Sequence, residues 1–168
     1  DESIPEVVKV PLELLKKYSG RYILEAAGMI INIKLENEKL ITKITGQPEF
    51  ELIALNDSTF KVSEVDAKVI FRINVEGTVN KAVLEQNGRH ELVKLPDYSP
   101  EMSELKEYEG EYLNKQLETI YTLKVKDSTL IANHINLKEI KMEPVEEDSF
   151  NGNAYFMSKV IFNRNKNG

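Results

Sequence analysis

The sequence predicts an all-β protein: two small antiparallel β-barrels in tandem, of about eight strands each with the second incomplete, and each preceded by a short helix. Three observations carry that reading. Short apolar and β-branched runs recur at regular spacing between turn residues, the pattern of a barrel or sandwich. Asn87-Gly88 stands between two alternating runs, a strong hairpin signal because both residues tolerate positive φ. A long segment also recurs at an offset of 90 residues, from Leu15 to Leu105.

The elements follow in order. Pro11–Lys17 reads as a short helix, with Pro near its start and cations near its end. Gly20–Leu24 is the first strand. Met29–Leu35 and Leu40–Thr45 follow, turned at Asn37-Glu38 and broken at Gly46-Gln47-Pro48. Phe50–Ile53, Thr59–Val62 and Ala67–Ile73 come next, with a turn at Asn56-Asp57-Ser58. Val79–Gln86 and Arg89–Leu95 complete eight strands, enough to close a barrel around side chains or one small ligand. Pro100–Glu107 is the second helix, with Ser99 or Ser103 as candidate caps.

The repeat sets the organisation. Leu15-Lys16-Lys17-Tyr18-Ser19-Gly20-Arg21-Tyr22 returns as Leu105-Lys106-Glu107-Tyr108-Glu109-Gly110-Glu111-Tyr112. In the same register Leu40-Ile41 meets Leu130-Ile131, and Phe60 meets Phe150. After one inserted residue, Val69-Ile70-Phe71-Arg72 meets Val160-Ile161-Phe162-Asn163, and Gly77 meets Gly168. The expected domains are 12–95 and 102–168, joined by a linker at 96–101. Residues 1–11 are read as a leading strand or the tail of an upstream domain. Copy two stops where copy one still has two strands to make. Asn163 to Gly168 is turn chemistry, so further chain is expected after it. A barrel short of two strands exposes two edges, which proteins cover. Residues 4–10, a neighbouring chain or a following tail are the expected cover.

Net charge is −6 and the pI about 5.1, which disfavours nucleic acid, since counterion release needs a basic face. No run approaches the roughly 18–20 apolar residues of a membrane helix. The chain has no cysteine, hence no disulfide and no thiolate metal site. No cofactor is called for.

Tyr18-x-Gly20-x-Tyr22, Leu40 through Thr45-Gly46-Gln47-Pro48, Phe60, Phe71 and Gln86-Asn87-Gly88-Arg89 together resemble a small lipocalin-like domain. That domain is a C-terminal appendage of bacterial serine hydrolases related to class C β-lactamases and D-aminopeptidases. Copy one matches along most of its length. Copy two has Ile135-Asn136-Leu137-Lys138 in place of the Thr-Gly-Gln-Pro element and lacks the last hairpin. The resemblance implies a non-catalytic accessory module, a serine hydrolase catalytic domain as partner, and a periplasmic or secreted location.

Ser58-Thr59-Phe60-Lys61 and Ser103-Glu104-Leu105-Lys106 both have the Ser-x-x-Lys spacing of penicillin-recognising enzymes, and Tyr112-Leu113-Asn114 has a Tyr-x-Asn. The sequence contains no Lys-Thr-Gly or Lys-Ser-Gly, and these matches are read as coincidence. An esterase-like enzyme using Ser103 and Lys106 is the remote alternative. His90 and His134 have no second histidine at ligand spacing. The acidic run Glu143–Asp148 lacks a calcium-loop pattern and reads as a solvated loop. The recurring tyrosines read as structural, with a glycine between them that lets the strand bend. Partner contacts are expected from the turns Gly46, Gln47, Pro48 and Gln86, Asn87, Arg89, together with Arg72. The alternative function is a carrier of a small apolar ligand inside the barrel.

Overall fold

The computed structural model describes residues 8–44 and 47–167. It is all-β, and the chain falls into two compact units, one holding the chain up to Ala26 and Ile30–Asp97, the other holding Ala27–Met29 and the chain from Tyr98 onward.

The first unit opens with helix α1 (Leu12–Tyr18) and continues as β1 (Gly20–Leu24), β2 (Met29–Glu36), β3 (Lys39–Ile44) and β4 (Glu49–Ala54). It ends with β5 (Thr59–Val62), β6 (Lys68–Ile73), β7 (Val79–Glu85) and β8 (Arg89–Leu95). Each strand pairs with the next, and the eight close into a barrel. Closure is made by β8 returning to β1, with Arg21 opposite Leu95, Tyr22 opposite Lys94 and Ile23 opposite Val93. Closing the sheet removes its edges, so among the described residues no strand of the barrel is left without a neighbour on either side. The Asn87-Gly88 turn forms as its chemistry dictates, with φ of 51° and 130°.

Alternation along the strands sends Leu40, Leu52, Phe60, Val69, Phe71, Ala82 and Leu92 inward. Tyr18, at the end of α1, stacks on Phe71 with ring centroids 4.2 Å apart. Phe60 meets the two rings edge-on at 5.7 and 5.5 Å. The Tyr22 hydroxyl donates to the Tyr18 carbonyl at 2.9 Å, and the Tyr18 hydroxyl donates to the Asp57 carbonyl at 2.8 Å. Two buried phenols thus keep their hydrogen bonds while their rings fill the barrel interior. Gly20 has φ of +140°, a conformation that L side chains rarely adopt, and it turns the chain from helix into strand beneath those rings.

The second unit repeats the order of elements as far as its sixth strand. Helix α2 (Met102–Lys106) leads into β9 (Gly110–Asn114), β10 (Thr119–Lys126) and β11 (Thr129–Asn133). Next come β12 (Ile140–Glu146), β13 (Ser149–Gly152) and the two-residue β14 (Val160–Ile161). Their sheet runs β14-β13-β12-β11-β10-β9 and is a curled half-barrel with β14 and β9 at its edges. Leu105, Tyr108, Leu123, Leu130, Met142 and Phe150 form its core.

Several expectations need correction. Helix α2 begins after Glu101, not at a serine. The Glu104 carboxylate accepts the Glu101 amide at 2.6 Å, and Ser103 lies inside the helix. The acidic run is not simply a solvated loop. Glu143 and Glu146 lie in β12, and Asp148 is tied down in the β12–β13 turn. Residues 8–10 form no strand, and Val10 is buried in the first unit's core. The rest of the proposed covering segment, residues 4–7, lies outside the described residues.

Candidate binding groove

In the first barrel, β7 and β8 stand between β6 and β1. In the second unit the corresponding space, between β14 and β9, holds no strand among the described residues. It is a groove of about 730 Å³ whose walls include Tyr108, Tyr112, Tyr121, Leu123, Val160 and Phe162.

The groove is lined by the same aromatic set that fills the first barrel. Phe162 lies 4.7 Å from Tyr108, 5.5 Å from Tyr112 and 5.6 Å from Phe150. In the first unit Phe71 makes the matching contacts with Tyr18, Tyr22 and Phe60. The Tyr112 hydroxyl donates to the Tyr108 carbonyl at 3.0 Å, as Tyr22 does to Tyr18. Gly110, with φ of +154°, stands where Gly20 stands. The environments differ: Tyr22 is 0% exposed, and Tyr112 is 38% exposed. Tyr22 is shielded by β8, whose Lys94 ammonium lies 5.7 Å from the Tyr22 ring centre. Tyr112 faces the groove instead.

One end of the groove is polar. The Arg164 guanidinium donates to Asp148 at 2.8 Å, to Glu107 at 2.6 Å and to the Tyr108 hydroxyl at 3.2 Å. The Tyr108 hydroxyl donates to the Asp148 carboxylate at 2.9 Å and accepts the Asp148 amide at 3.1 Å. Hydrogen bonding to these groups holds Arg164 protonated, above the usual range for arginine. The bond from Arg164 keeps the Asp148 carboxyl below the usual carboxylate range. Burial pushes the phenols of Tyr108 and Tyr112 upward, so both remain neutral donors. The groove therefore pairs a satisfied ionic cluster with an aromatic floor and two strand edges that are unpaired among the described residues.

A turn beside the groove adds a further match. Asn165 accepts the Asn167 amide through its side-chain oxygen at 2.9 Å. Asn74 does the same for Glu76 at 3.0 Å, at the start of the loop that carries β6 into β7.

The residues singled out from sequence lie elsewhere. Gly46 lies outside the described residues. Gln47 and Pro48 are exposed, and the Gln47 amide donates to the Ile44 carbonyl at 2.9 Å. Gln86, Asn87 and Arg89 form the exposed β7–β8 turn, where Arg89 pairs with Glu85 at 3.5 Å. Strand alternation puts this turn and the β3–β4 turn at one rim of the barrel. Arg72, near the far end of β6 and opposite Lys81, belongs to the other rim.

The Ser58 hydroxyl donates to Asn56 at 3.3 Å inside a turn, while Lys61 is exposed on β5. Ser103 is exposed on the five-residue α2. Tyr112 has its hydroxyl engaged, and the Asn114 side-chain oxygen accepts the Gln116 and Leu117 amides. His134 bonds Thr119 and the Asn136 amide, and His90 lies 3.2 Å from the Gln86 carbonyl. Among the described residues, no three His, Asp or Glu side chains are grouped to hold a metal ion.

Sequence reasoning treated the tyrosines as structural and did not see that Tyr112 is left exposed at the groove while Tyr108 stays buried. The signal was the shortened repeat itself: a copy without its last two strands leaves its aromatic core open on one side. Arg164 carried a weaker signal, standing where the alignment puts Ile73 in copy one.

The comparison with known families bears on the closed barrel. Residues 5–96, more than half of the chain, match the family described as Domain of unknown function (DUF3471). The chain belongs to this family. The match spans the whole of the first barrel and stops before α2. No curated protein matches the chain.

Proposed function

We propose that this DUF3471 chain is a non-catalytic interaction module whose working surface is the groove of the second unit, where it holds a polypeptide by strand pairing. The observation that carries this reading is an aromatic floor lying between two strand edges unpaired among the described residues. An extended segment added to such an edge gains main-chain hydrogen bonds, and alternate side chains fill the pocket. The resemblance to the barrels appended to β-lactamase-related serine hydrolases supports a catalytic domain of that class as the partner of the module. It also supports a periplasmic or secreted location. The engaged hydroxyls of Ser58 and Tyr112 fit a module that leaves chemistry to that partner.

The test is an assay of the purified chain with nitrocefin and D-aminoacyl amides. No turnover above buffer is expected. Turnover that disappears in Ser103→Ala would overturn the non-catalytic reading.

One observation favours a second reading, an apolar ligand carrier. A volume of about 730 Å³ is on the scale of small-molecule sites, and it lies in the second unit rather than inside the first barrel. Saturable binding of a fatty acid that quenches tyrosine fluorescence would favour it over strand pairing.

A further inference from the structure

We infer that one end of the second unit docks on an anionic lipid surface, through a rim of exposed apolar side chains interleaved with lysines. The inference does not depend on the strand-pairing role of the groove.

Strand order places the rim. Strand β9 runs into β10 through residues 115–118, β11 into β12 through residues 134–139, and β13 into β14 through residues 153–159. Successive strands are antiparallel, so these three links share one end of the sheet. The links through residues 127–128 and 147–148 share the other end.

The first of these ends is apolar. Leu117 is 67% exposed, Ile135 91% and Tyr155 91%, and Leu137 and Phe156 are exposed on the same links. Tyr155 and Phe156 meet edge-on at 5.3 Å in the short 3-10 helix Tyr155–Met157. The fold does not demand large apolar residues here. In the register of the repeat, Leu117, Ile135 and Leu137 stand where the first copy has Ala27, Thr45 and Gln47. Apolar side chains gathered at one exposed end mark a contact surface.

Charge indicates what that surface meets. Lys115, Lys138 and Lys159 are exposed, one on each of the three links. Among the described residues, the ion pairs of the second unit join Lys126 to Glu139, and Arg164 to Glu107 and Asp148. None of the three rim lysines belongs to one. Of the two acids on these links, Glu139 is held by Lys126, which leaves Glu118 against three lysines. The opposite end carries Asp127, Glu147 and Asp148 on its links. A chain of net charge −6 is repelled by an anionic bilayer as a whole, so it approaches with the lysine end first. Leucine and isoleucine tips then enter the headgroup boundary, the Tyr155 ring sits at its level, and the lysines meet lipid phosphates. A second copy fits the rim less well, because a twofold contact across it sets the lysines of one copy against those of the other.

The chain contains no tryptophan, so Ile135→Trp places a single fluorescent reporter on the rim and Glu147→Trp places one at the opposite end. Both positions are exposed, and neither substitution disturbs the core. Each 168-residue variant is titrated with mixed phosphatidylglycerol–phosphatidylcholine vesicles and with phosphatidylcholine vesicles alone. The expected result is co-sedimentation with the anionic vesicles and a blue shift of the Ile135→Trp emission, with no shift for Glu147→Trp. Added salt should weaken the binding. Lys115→Glu combined with Lys138→Glu should weaken it by about tenfold or more, at an unchanged thermal midpoint. Leu117→Asp should weaken it as well, through the apolar contact.

An Ile135→Trp emission that stays unshifted with anionic vesicles would overturn the inference. So would an equal shift of Glu147→Trp, which puts the contact elsewhere, or equal binding to phosphatidylcholine alone, which removes the lysines from it. A blue shift that grows with protein concentration in the absence of vesicles would assign the rim to a second copy and overturn it too.

Discussion

Phe71 and Phe162 occupy matching places, yet their surroundings differ. Phe71 is 2% exposed and touches three aromatic rings inside a closed barrel. Phe162 is half-buried and forms part of an open wall. Truncating a fully buried ring removes its transfer free energy and leaves a cavity, so Phe71→Ala should destabilise the first unit by about 3–5 kcal/mol. Phe162→Ala should destabilise the second unit by clearly less, because water already reaches its site. Urea unfolding of each variant, followed by backbone signals assigned to the two units, reads both values. These rings were legible in the sequence, since both sets recur at a fixed offset. Their different burial was not, because burial depends on the presence of β7 and β8 and not on the residues themselves.

At the scale of elements, the polar end of the groove locks three pieces together. Arg164 follows β14, Glu107 ends α2, and Asp148 sits in the β12–β13 turn. The carboxyl of Asp148 titrates below its unfolded value, so its contribution is complete above the ordinary aspartate range. It is lost as pH falls through the lowered folded value. The second unit should therefore lose stability below about pH 4, the ordinary aspartate range. Arg164→Gln should flatten that dependence. Thermal melts of the two proteins from pH 2 to 7 check the sign, and identical slopes would contradict it. The exposed geometry and solvent screening keep the effect modest.

The strands themselves were readable. Turn residues such as Asn87-Gly88 and alternation such as that of Val69 and Phe71 have local causes. The α2 cap was misread because Glu104 reaches back to Glu101, and a serine two residues later looked equally suitable. The Arg164 cluster was invisible because it joins residues 57 positions apart, from Glu107 to Arg164.

On the scale of the whole molecule, one barrel is closed and the second sheet is a curled half-barrel of six strands among the described residues. The first unit, which carries the DUF3471 match, has all of its edges paired. The second has the same helix, glycine and aromatic cluster but ends its sheet at β9 and β14. The repeat predicted that shortage. The most direct measurement is residue-resolved amide hydrogen exchange on the 168-residue chain at low micromolar concentration. The comparison lies between β1, whose outer side β8 pairs, and β9, whose outer side faces the groove. Strong protection on both sides of β1, with rapid exchange of the outward amides of Glu111–Leu113, is the predicted result. Equal protection of the two strands would contradict the open groove on which the functional reading depends.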